Sequence, residues 1–177
     1  MSLKGTRRLS VDAMLSAMYV VLSLLSVSLP NMKITFDSLP ILVGAALLGP
    51  VDGLAIGLMG SFINQLLTYG LTVTTVLWII PAGVRGLLVG LYAKRHDFSM
   101  TVPQTMFITV VSALIVTALN TAVMYIDSVI FMYYSYAYVF GAVIPRIIAG
   151  IVTAVVFAAI LPTVVASMKK LLGIAKK

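Results

Sequence analysis

Apolar segments of membrane-spanning length recur along almost the whole of this 177-residue chain. A helix needs about 20 predominantly apolar residues to cross the hydrocarbon core of a bilayer. Reading the apolar runs between polar residues, glycines and prolines predicts helices at residues 10–29, 39–49, 51–69, 73–94, 104–130 and 138–170. The strict alternation that a membrane β-strand needs is not evident. The sequence therefore predicts an all-α integral membrane protein, a single six-helix transmembrane domain over residues 1–177 with both termini in the cytoplasm.

The composition excludes an ordinary soluble domain and argues against an enzyme. Hydrophobic residues make up 61% of the chain and charged residues only 10%. The chain has no cysteine, which rules out disulfides and thiolate metal sites. Its one histidine, His96, stands in a basic turn far from any buried serine or carboxylate pair, and no Gly-x-x-x-x-Gly-Lys phosphate loop occurs. We expect no catalytic residue, no metal and no cofactor.

The positions of the basic residues predict the orientation in the membrane. With both termini in the cytoplasm, Lys33 alone falls outside, whereas the cytoplasmic side holds Lys4, Arg7, Arg8, Lys94, Arg95, Lys169, Lys170, Lys176 and Lys177. This distribution follows the positive-inside rule. The net charge of +7 is then explained by orientation and by contact with anionic lipid, and nucleic-acid binding is not indicated. We expect a multi-pass protein of a bacterial-type cell membrane.

Two arginines, Arg85 and Arg146, lie inside the apolar segments. An arginine at membrane depth costs at least about 2.5 to 3.5 kcal/mol, so it faces a cavity or a partner and usually marks function. In the predicted orientation both lie in the outer half of the bilayer, at depths of about 18 and 12 Å along their helices. Pro81 and Pro145 precede them closely, and we expect each proline to bend its helix.

Other polar residues of the predicted helices also approach the outer side. Asn64 lies near the outer end of the third helix, Asn120 and Asp127 lie near that of the fifth, and Trp78 shares a helical face with Arg85. The inner halves of the helices are nearly all apolar. This asymmetry favours a cup that opens outward and is sealed below, rather than a channel or a carrier working alone.

The charges of the cup predict an anionic ligand. An internal ion pair with Asp127 or Asp37 is the structural alternative for the arginines. Because those two acids cannot neutralise both arginines and Lys33, a ligand carboxylate held by a guanidinium fork would complete the balance. A tryptophan beside a cation suits a flat heterocycle that carries an acid. The candidate substrate-binding residues are Arg85, Arg146, Trp78, Asn120, Asn64, Tyr125 and, from the loop before the second helix, Lys33 and Phe36.

Small residues mark two helix faces. Gly53, Gly57 and Gly60 share one face of the third helix, which predicts close packing within the bundle. Ala13 and Ala17 lie four residues apart near the cytoplasmic end of the first helix. Taken alone, that spacing usually indicates packing within the chain.

Six helices in 177 residues, a basic amino terminus, the Ala13/Ala17 pair and the run over residues 39–57 together resemble the substrate-binding S-components of energy-coupling factor (ECF) vitamin transporters. The resemblance covers nearly the whole chain. It implies a high-affinity vitamin-binding subunit that works with a transmembrane coupling subunit and two cytoplasmic ATPases. It also implies that Ala13 and Ala17 face the coupling subunit and that the protein topples in the membrane to release its vitamin inside.

Within that family, the turn at residues 49–53 and the arginine-bearing fourth and sixth helices look most similar to the folate-type branch. Folate joins a flat pterin to a glutamate with two carboxylates, which would match the aromatic surface and the positive charge. S-components for pantothenate, riboflavin or hydroxymethylpyrimidine stay as alternatives. So do a self-contained small carrier and a structural or regulatory membrane protein whose arginines form only internal ion pairs.

Overall fold

The computed structural model describes residues 5–29 and 32–173, and of residues 27–29 and 32–34 it describes the backbone alone. This part of the chain is almost entirely α-helical, as predicted. The elements are α1 (Thr6–Leu24), β1 (Val27–Leu29), β2 (Met32–Ile34), α2 (Ser38–Leu48), α3 (Pro50–Tyr69), α4 (Thr75–Arg95), α5 (Val102–Ile130), α6 (Tyr136–Phe140) and α7 (Val143–Leu171). Among the charges used to predict the orientation, Lys4, Lys176, Lys177 and the side chain of Lys33 lie outside the described residues.

Four of the described helical segments are long and apolar enough to cross a membrane: α3, α4, α5 and the segment Tyr136–Leu171, which comprises α6 and α7. Their outward faces carry large apolar side chains. On α7, Ile144, Ile148 and Val152 are each more than half exposed. Apolar faces of this extent suit a lipid environment better than water. The chain therefore has the character of a multi-pass membrane protein, while the count of six spans and the location of the termini stay predictions.

The first helix is shorter than predicted. We predicted it to reach residue 29, but α1 ends at Leu24, and Val27–Leu29 forms β1, which pairs antiparallel with β2. The sequence from Ser26 to Ser28 alternates polar and apolar residues, a period of two that fits a strand and not a helix. This hairpin leads the chain into α2.

The short helix α2 forms the centre of the bundle. Residues 40–47 are buried on all its sides, as is typical of an apolar helix enclosed by other helices. It packs against α1, α3, α4 and α7. The chain then turns sharply at Gly49, whose φ of 114° favours glycine, and Pro50 begins α3 at the position where helices best tolerate proline. The predicted second helix, at residues 39–49, differs from α2 by one residue at each end.

Glycines bring the backbones of α3 and α4 into contact. A Cβ atom added to Gly53 would lie 2.6 Å from the carbonyl oxygen of Gly86, and one added to Gly86 would overlap the backbone of Gly53. Gly57 meets the backbone of Ala82 in the same way. Gly60, further along the stripe, makes room for the ring of Tyr19 on α1. The predicted close packing of this glycine face is confirmed.

The predicted sixth helix is divided in two. The short helix α6 ends at Phe140, and α7 begins at Val143 after a two-residue turn. Pro145 therefore lies in the first turn of α7, where a missing N–H removes no helical hydrogen bond. The prediction that Pro145 bends a spanning helix is wrong, whereas Pro81 does lie inside α4.

A charged pair joins α1 to α3 at the end of the bundle where α3 begins. Arg8 donates from Nε to Asp52 Oδ1 at 2.6 Å and from Nη2 to Oδ2. The side chain of Asp52 is buried there, and the pair forms the one salt bridge among the described residues. The expectation that this half of the bundle is nearly all apolar overlooked this buried carboxylate.

Candidate substrate cavity

A cavity of about 380 Å³ lies between the helices at the end of the bundle where α1, α3 and α5 end and α2, α4 and α7 begin. Pockets for small molecules commonly measure roughly 300 to 1,000 Å³. Five of the eight predicted substrate-binding residues line it: Arg85, Arg146, Trp78, Asn120 and Asn64. The helical positions of these residues, read from the sequence, therefore converge on one volume.

The other three predicted residues lie elsewhere. Phe36 is partly exposed and packs edge-on against Phe157, a residue of the cavity wall, with 6.3 Å between the ring centroids. Tyr125 is not part of the wall, and its ring contacts that of Tyr134 at 5.5 Å. The side chain of Lys33 lies outside the described residues.

Arg85 lies in the wall between α4 and the start of α2. Its Nη1 donates a hydrogen bond to the hydroxyl of Ser38. That hydroxyl lies 3.3 Å from Asp37 Oδ1 and donates to it, and Thr35 donates to the same carboxylate oxygen at 2.7 Å. A guanidinium, a hydroxyl and a carboxylate thus follow one another along the wall. The Nε atom of Arg85 is buried without a hydrogen-bond partner in the described part of the chain.

Arg146 lies in the first turn of α7 and reaches across to α6 and α5. Its Nη2 donates to the carbonyl oxygen of Val139 at 2.8 Å, and its Nη1 lies 2.9 Å from the sulfur of Met124. The last carbonyls of a helix lack partners within the helix, so a cation that donates a hydrogen bond to one of them stabilises the end of α6. Nε of Arg146 is also buried and has no partner within residues 5–29 and 32–173.

Neither arginine forms a salt bridge to a described acid. The structural alternative, a direct ion pair with Asp127 or Asp37, is therefore absent from this part of the chain. Asp37 is the one acid among the described lining residues, beside the two arginines, so their formal charges sum to +1. The excess positive charge predicted for the cup is present even without Lys33.

Trp78 stands between the cavity and Asp127. Its indole Nε1 donates to Asp127 Oδ1 at 3.2 Å, and Thr74 and Tyr133 also donate to this carboxylate. Asp127 itself is only 8% exposed. The polar edge of the indole is thus satisfied away from the cavity, and its ring is left to form part of the wall.

Several lining residues are not among the eight predicted from the sequence. On α5, Thr109 and Ser112 lie on the face that also carries Asn120, and on α1 the lining residues Tyr19 and Ser23 are four apart. The available signal was the spacing of small polar residues by three and four within apolar helices. These residues extend the cavity deeper along α5 than the position of Asn120 alone indicates.

Ala13 and Ala17 lie on an exposed face of α1. Their neighbours Met14 and Met18 are 48% and 44% exposed. Packing within the chain, the usual meaning of such a pair, is therefore the wrong interpretation for these described residues. The face is free to contact another molecule.

Comparison with known structures supports the same architecture. A solved structure of the S component of a bacterial ECF transporter superposes with a TM-score of 0.63, covering 94% of this chain and 99% of the other. The two sequences are 20% identical, so this likeness shows the fold alone.

Curated relatives resemble part of the chain. A UPF0397 protein of Lactobacillus johnsonii is 32% identical over 103 residues, which cover 55% of this chain and 51% of that protein. A UPF0397 protein of Streptococcus pneumoniae serotype 4 is 35% identical over 82 residues, which cover 45% of this chain and 43% of that protein. The chain spans about half the length of the curated relatives it matches.

The family assignment rests on a match over most of the chain. The family model described as "ECF transporter, substrate-specific component" matches residues 7–165. That family comprises the substrate-binding components of transporters and not enzymes. The fold and the cavity between apolar helices agree with this match. The chain therefore belongs to the substrate-specific component family of ECF transporters.

Proposed function

We propose that this chain captures folate, or a close relative of folate, from outside the cell and delivers it through an ECF coupling subunit energised by two ATPases. The observation that carries the proposal is the pair of arginines, Arg85 and Arg146, on the wall of one cavity, each with a buried Nε that has no partner among the described residues. A buried donor without a partner costs about 1 to 3 kcal/mol. A ligand that accepts hydrogen bonds from the other nitrogens of both guanidinium groups offsets this cost.

The charge of the described wall supports an anionic ligand. Two arginines and one aspartate leave a net positive charge, which a ligand carboxylate would offset. Guanidinium and carboxylate groups match in shape and can form two parallel hydrogen bonds. A neutral ligand would leave this charge without a role.

The aromatic part of the wall supports a flat ring in the ligand. Trp78 lines the cavity, while its N–H is held by Asp127. A planar heterocycle such as a pterin can stack on an indole face, whereas a flexible aliphatic chain gains less from it. The polar side chains of Asn64 and Asn120 lie on the same wall and provide donors and acceptors for the edges of such a ring.

The exposed face of α1 supports delivery to a partner within the membrane. Small side chains at Ala13 and Ala17 let a second helix approach closely. We propose that this face contacts the coupling subunit. Energy then comes from the partner ATPases, in keeping with the lack of a Gly-x-x-x-x-Gly-Lys loop in this sequence.

Calorimetric titration of the purified protein in detergent tests the proposed ligand. We expect folate to bind at one equivalent with a Kd below about 1 μM, which corresponds to about −8 kcal/mol. Quenching of Trp78 provides a second signal, because it is the only tryptophan in the chain. Binding of riboflavin or hydroxymethylpyrimidine without binding of folate would reject the assignment.

Pantothenate is the second candidate, and the net charge of the described wall favours it. A formal charge of +1 needs only one carboxylate, and pantothenate has one. It lacks a flat ring for Trp78. Tight binding of pantothenate together with no response to folate would move the assignment to this vitamin.

A further inference from the structure

The two arginines of the cavity have different surroundings. Arg85 is connected to Asp37 through the hydroxyl of Ser38. Arg146 contacts backbone carbonyls and the sulfur of Met124, and no described acid forms a salt bridge with it. The charge of Arg85 is therefore partly offset by a nearby carboxylate, whereas that of Arg146 is not.

Asp37 retains unused capacity to accept hydrogen bonds. Its Oδ1 accepts from Thr35 and Ser38, while no described residue donates to Oδ2. An ionised carboxylate oxygen has two acceptor sites, so Oδ2 can take N–H donors from a ligand. Arg85 offers the complementary group, since its guanidinium lines the cavity and has the hydroxyl of Ser38 as its one described acceptor. Along this wall, the side chain of Ser38 separates the acceptor Asp37 from the donor Arg85.

A ligand carboxylate fits poorly beside this pair. It would approach Arg85 but would also face Asp37, and two carboxylates that share a site disfavour each other's ionised form. A ring edge that presents N–H donors next to a carbonyl oxygen would satisfy both residues. The 2-amino-4-oxopyrimidine edge of a pterin has this pattern.

We infer that Asp37, Ser38 and Arg85 form a subsite that recognises the donor–acceptor edge of the ligand's heterocycle, and that Arg146 binds the ligand's carboxylate. The inference rests on the proposed function and assigns an orientation within the same cavity. Asp37 accepts the N–H groups of the heterocycle, Arg85 donates to its carbonyl oxygen, and Ser38 holds the two protein groups in register. The acidic tail of the ligand extends toward α6 and α7.

Binding of ligand fragments to matched variants tests this orientation. The ligands are folate, 6-methylpterin, which has no carboxylate, and p-aminobenzoylglutamate, which has no pterin. Asp37→Asn removes the anionic acceptor, and Asp97→Asn, at an exposed aspartate in the turn after α4, serves as its control. Ser38→Ala removes the bridging hydroxyl and replaces Asp37→Asn if that variant does not fold. Size-exclusion profiles and thermal unfolding establish that each variant is folded.

We expect Asp37→Asn to weaken the binding of folate and of 6-methylpterin by about 10- to 100-fold, because one or two hydrogen bonds to a charged group are lost. Binding of p-aminobenzoylglutamate stays within about twofold, because that fragment does not reach the subsite. Arg146→Met has the reverse effect: it weakens the binding of p-aminobenzoylglutamate and leaves the binding of 6-methylpterin unchanged. Asp97→Asn changes none of the three affinities.

Three results overturn the inference, and they differ in what else they reject. If the unsubstituted protein binds folate but Asp37→Asn and Ser38→Ala bind it equally well, the subsite assignment is wrong and the proposed function stands. If the unsubstituted protein binds neither folate nor 6-methylpterin, both are rejected. Loss of p-aminobenzoylglutamate binding in Asp37→Asn would reverse the orientation and so contradict the assignment.

Discussion

Trp78 donates its indole N–H to Asp127 across 3.2 Å, and this hydrogen bond joins the first turns of α4 to the last turns of α5. From the sequence, Asp127 is a candidate ion-pair partner of the arginines. It acts instead as the acceptor of three neutral donors, from Trp78, Thr74 and Tyr133. The carboxylate thereby fixes the indole that forms part of the cavity wall.

Asp127→Asn tests this positioning role. An amide can keep one acceptor oxygen but replaces the other with a donor, so at least one of the three donors loses its partner. We expect a loss of about 1 to 3 kcal/mol in the free energy of unfolding. The fluorescence spectrum of Trp78 should change in the absence of ligand, because the group beside its indole N–H changes from a charged carboxylate to a neutral amide. Asp97→Asn, at an exposed position, is the control and leaves the spectrum unaltered.

Arg85→Met separates binding from stability. The Nε atom of Arg85 is buried and has no partner in the described part of the chain. Replacing a charged group in such surroundings by an apolar side chain of similar length is often neutral or stabilising. We expect the Tm of the ligand-free protein to stay the same or rise, while the affinity for folate falls by about 1.5 to 3 kcal/mol. Arg95→Met, at an exposed residue at the end of α4, alters neither quantity. A marked fall in Tm with unchanged affinity would favour a purely structural arginine.

Gly86→Ala and Gly150→Ala form a matched pair for helix packing. A Cβ atom at Gly86 overlaps the backbone of Gly53, whereas one at Gly150 lies 3.5 Å from the hydroxyl of Thr117, an ordinary contact. Overpacking of a core typically costs about 1 to 3 kcal/mol, so thermal unfolding of Gly86→Ala should occur at a lower temperature. Gly150→Ala should keep or raise the Tm, since alanine favours a helix over glycine. Equal effects of both substitutions would argue against the α3–α4 contact.

Leucine at Ala13 and Ala17 tests the exposed face of α1. Larger side chains there prevent close approach of a partner helix but contact no part of the cavity. We expect the double variant to bind folate normally in isolation and to lose uptake in liposomes that also contain the coupling and ATPase subunits. Ala118→Leu, at another exposed alanine on α5, should keep uptake. Normal uptake by the double variant would place the contact with the coupling subunit elsewhere.

The helical architecture could be predicted because its signals are local. Apolar runs bounded by glycine and proline located α2, α3, α4 and α5 to within two residues, and the glycine spacing on α3 predicted its close packing. Helical phase alone also placed Arg85 and Trp78 on the same cavity wall. These features depend on periodicity, which a single sequence contains.

The remaining features depend on tertiary contacts that no local pattern encodes. The division of the sixth predicted helix is stabilised where Arg146 donates to the carbonyl of Val139, a hydrogen bond between neighbouring helices. Thr74 and Trp78, two of the partners of Asp127, lie about fifty residues before it in the chain. Charge alone therefore predicted an arginine as the partner of this carboxylate. The loop predicted before the second helix includes a hairpin, followed by Asp37 on the cavity wall.

Mass spectrometry of the small molecule that copurifies with the protein tests the central claim most directly. The protein is purified from cells grown with folate and is released from its ligand by denaturation. We predict about one equivalent of a folate-type compound per chain, and a strong reduction of that amount in Arg85→Met and Arg146→Met purified in parallel. One equivalent of a neutral compound, retained equally by both variants, would contradict the account.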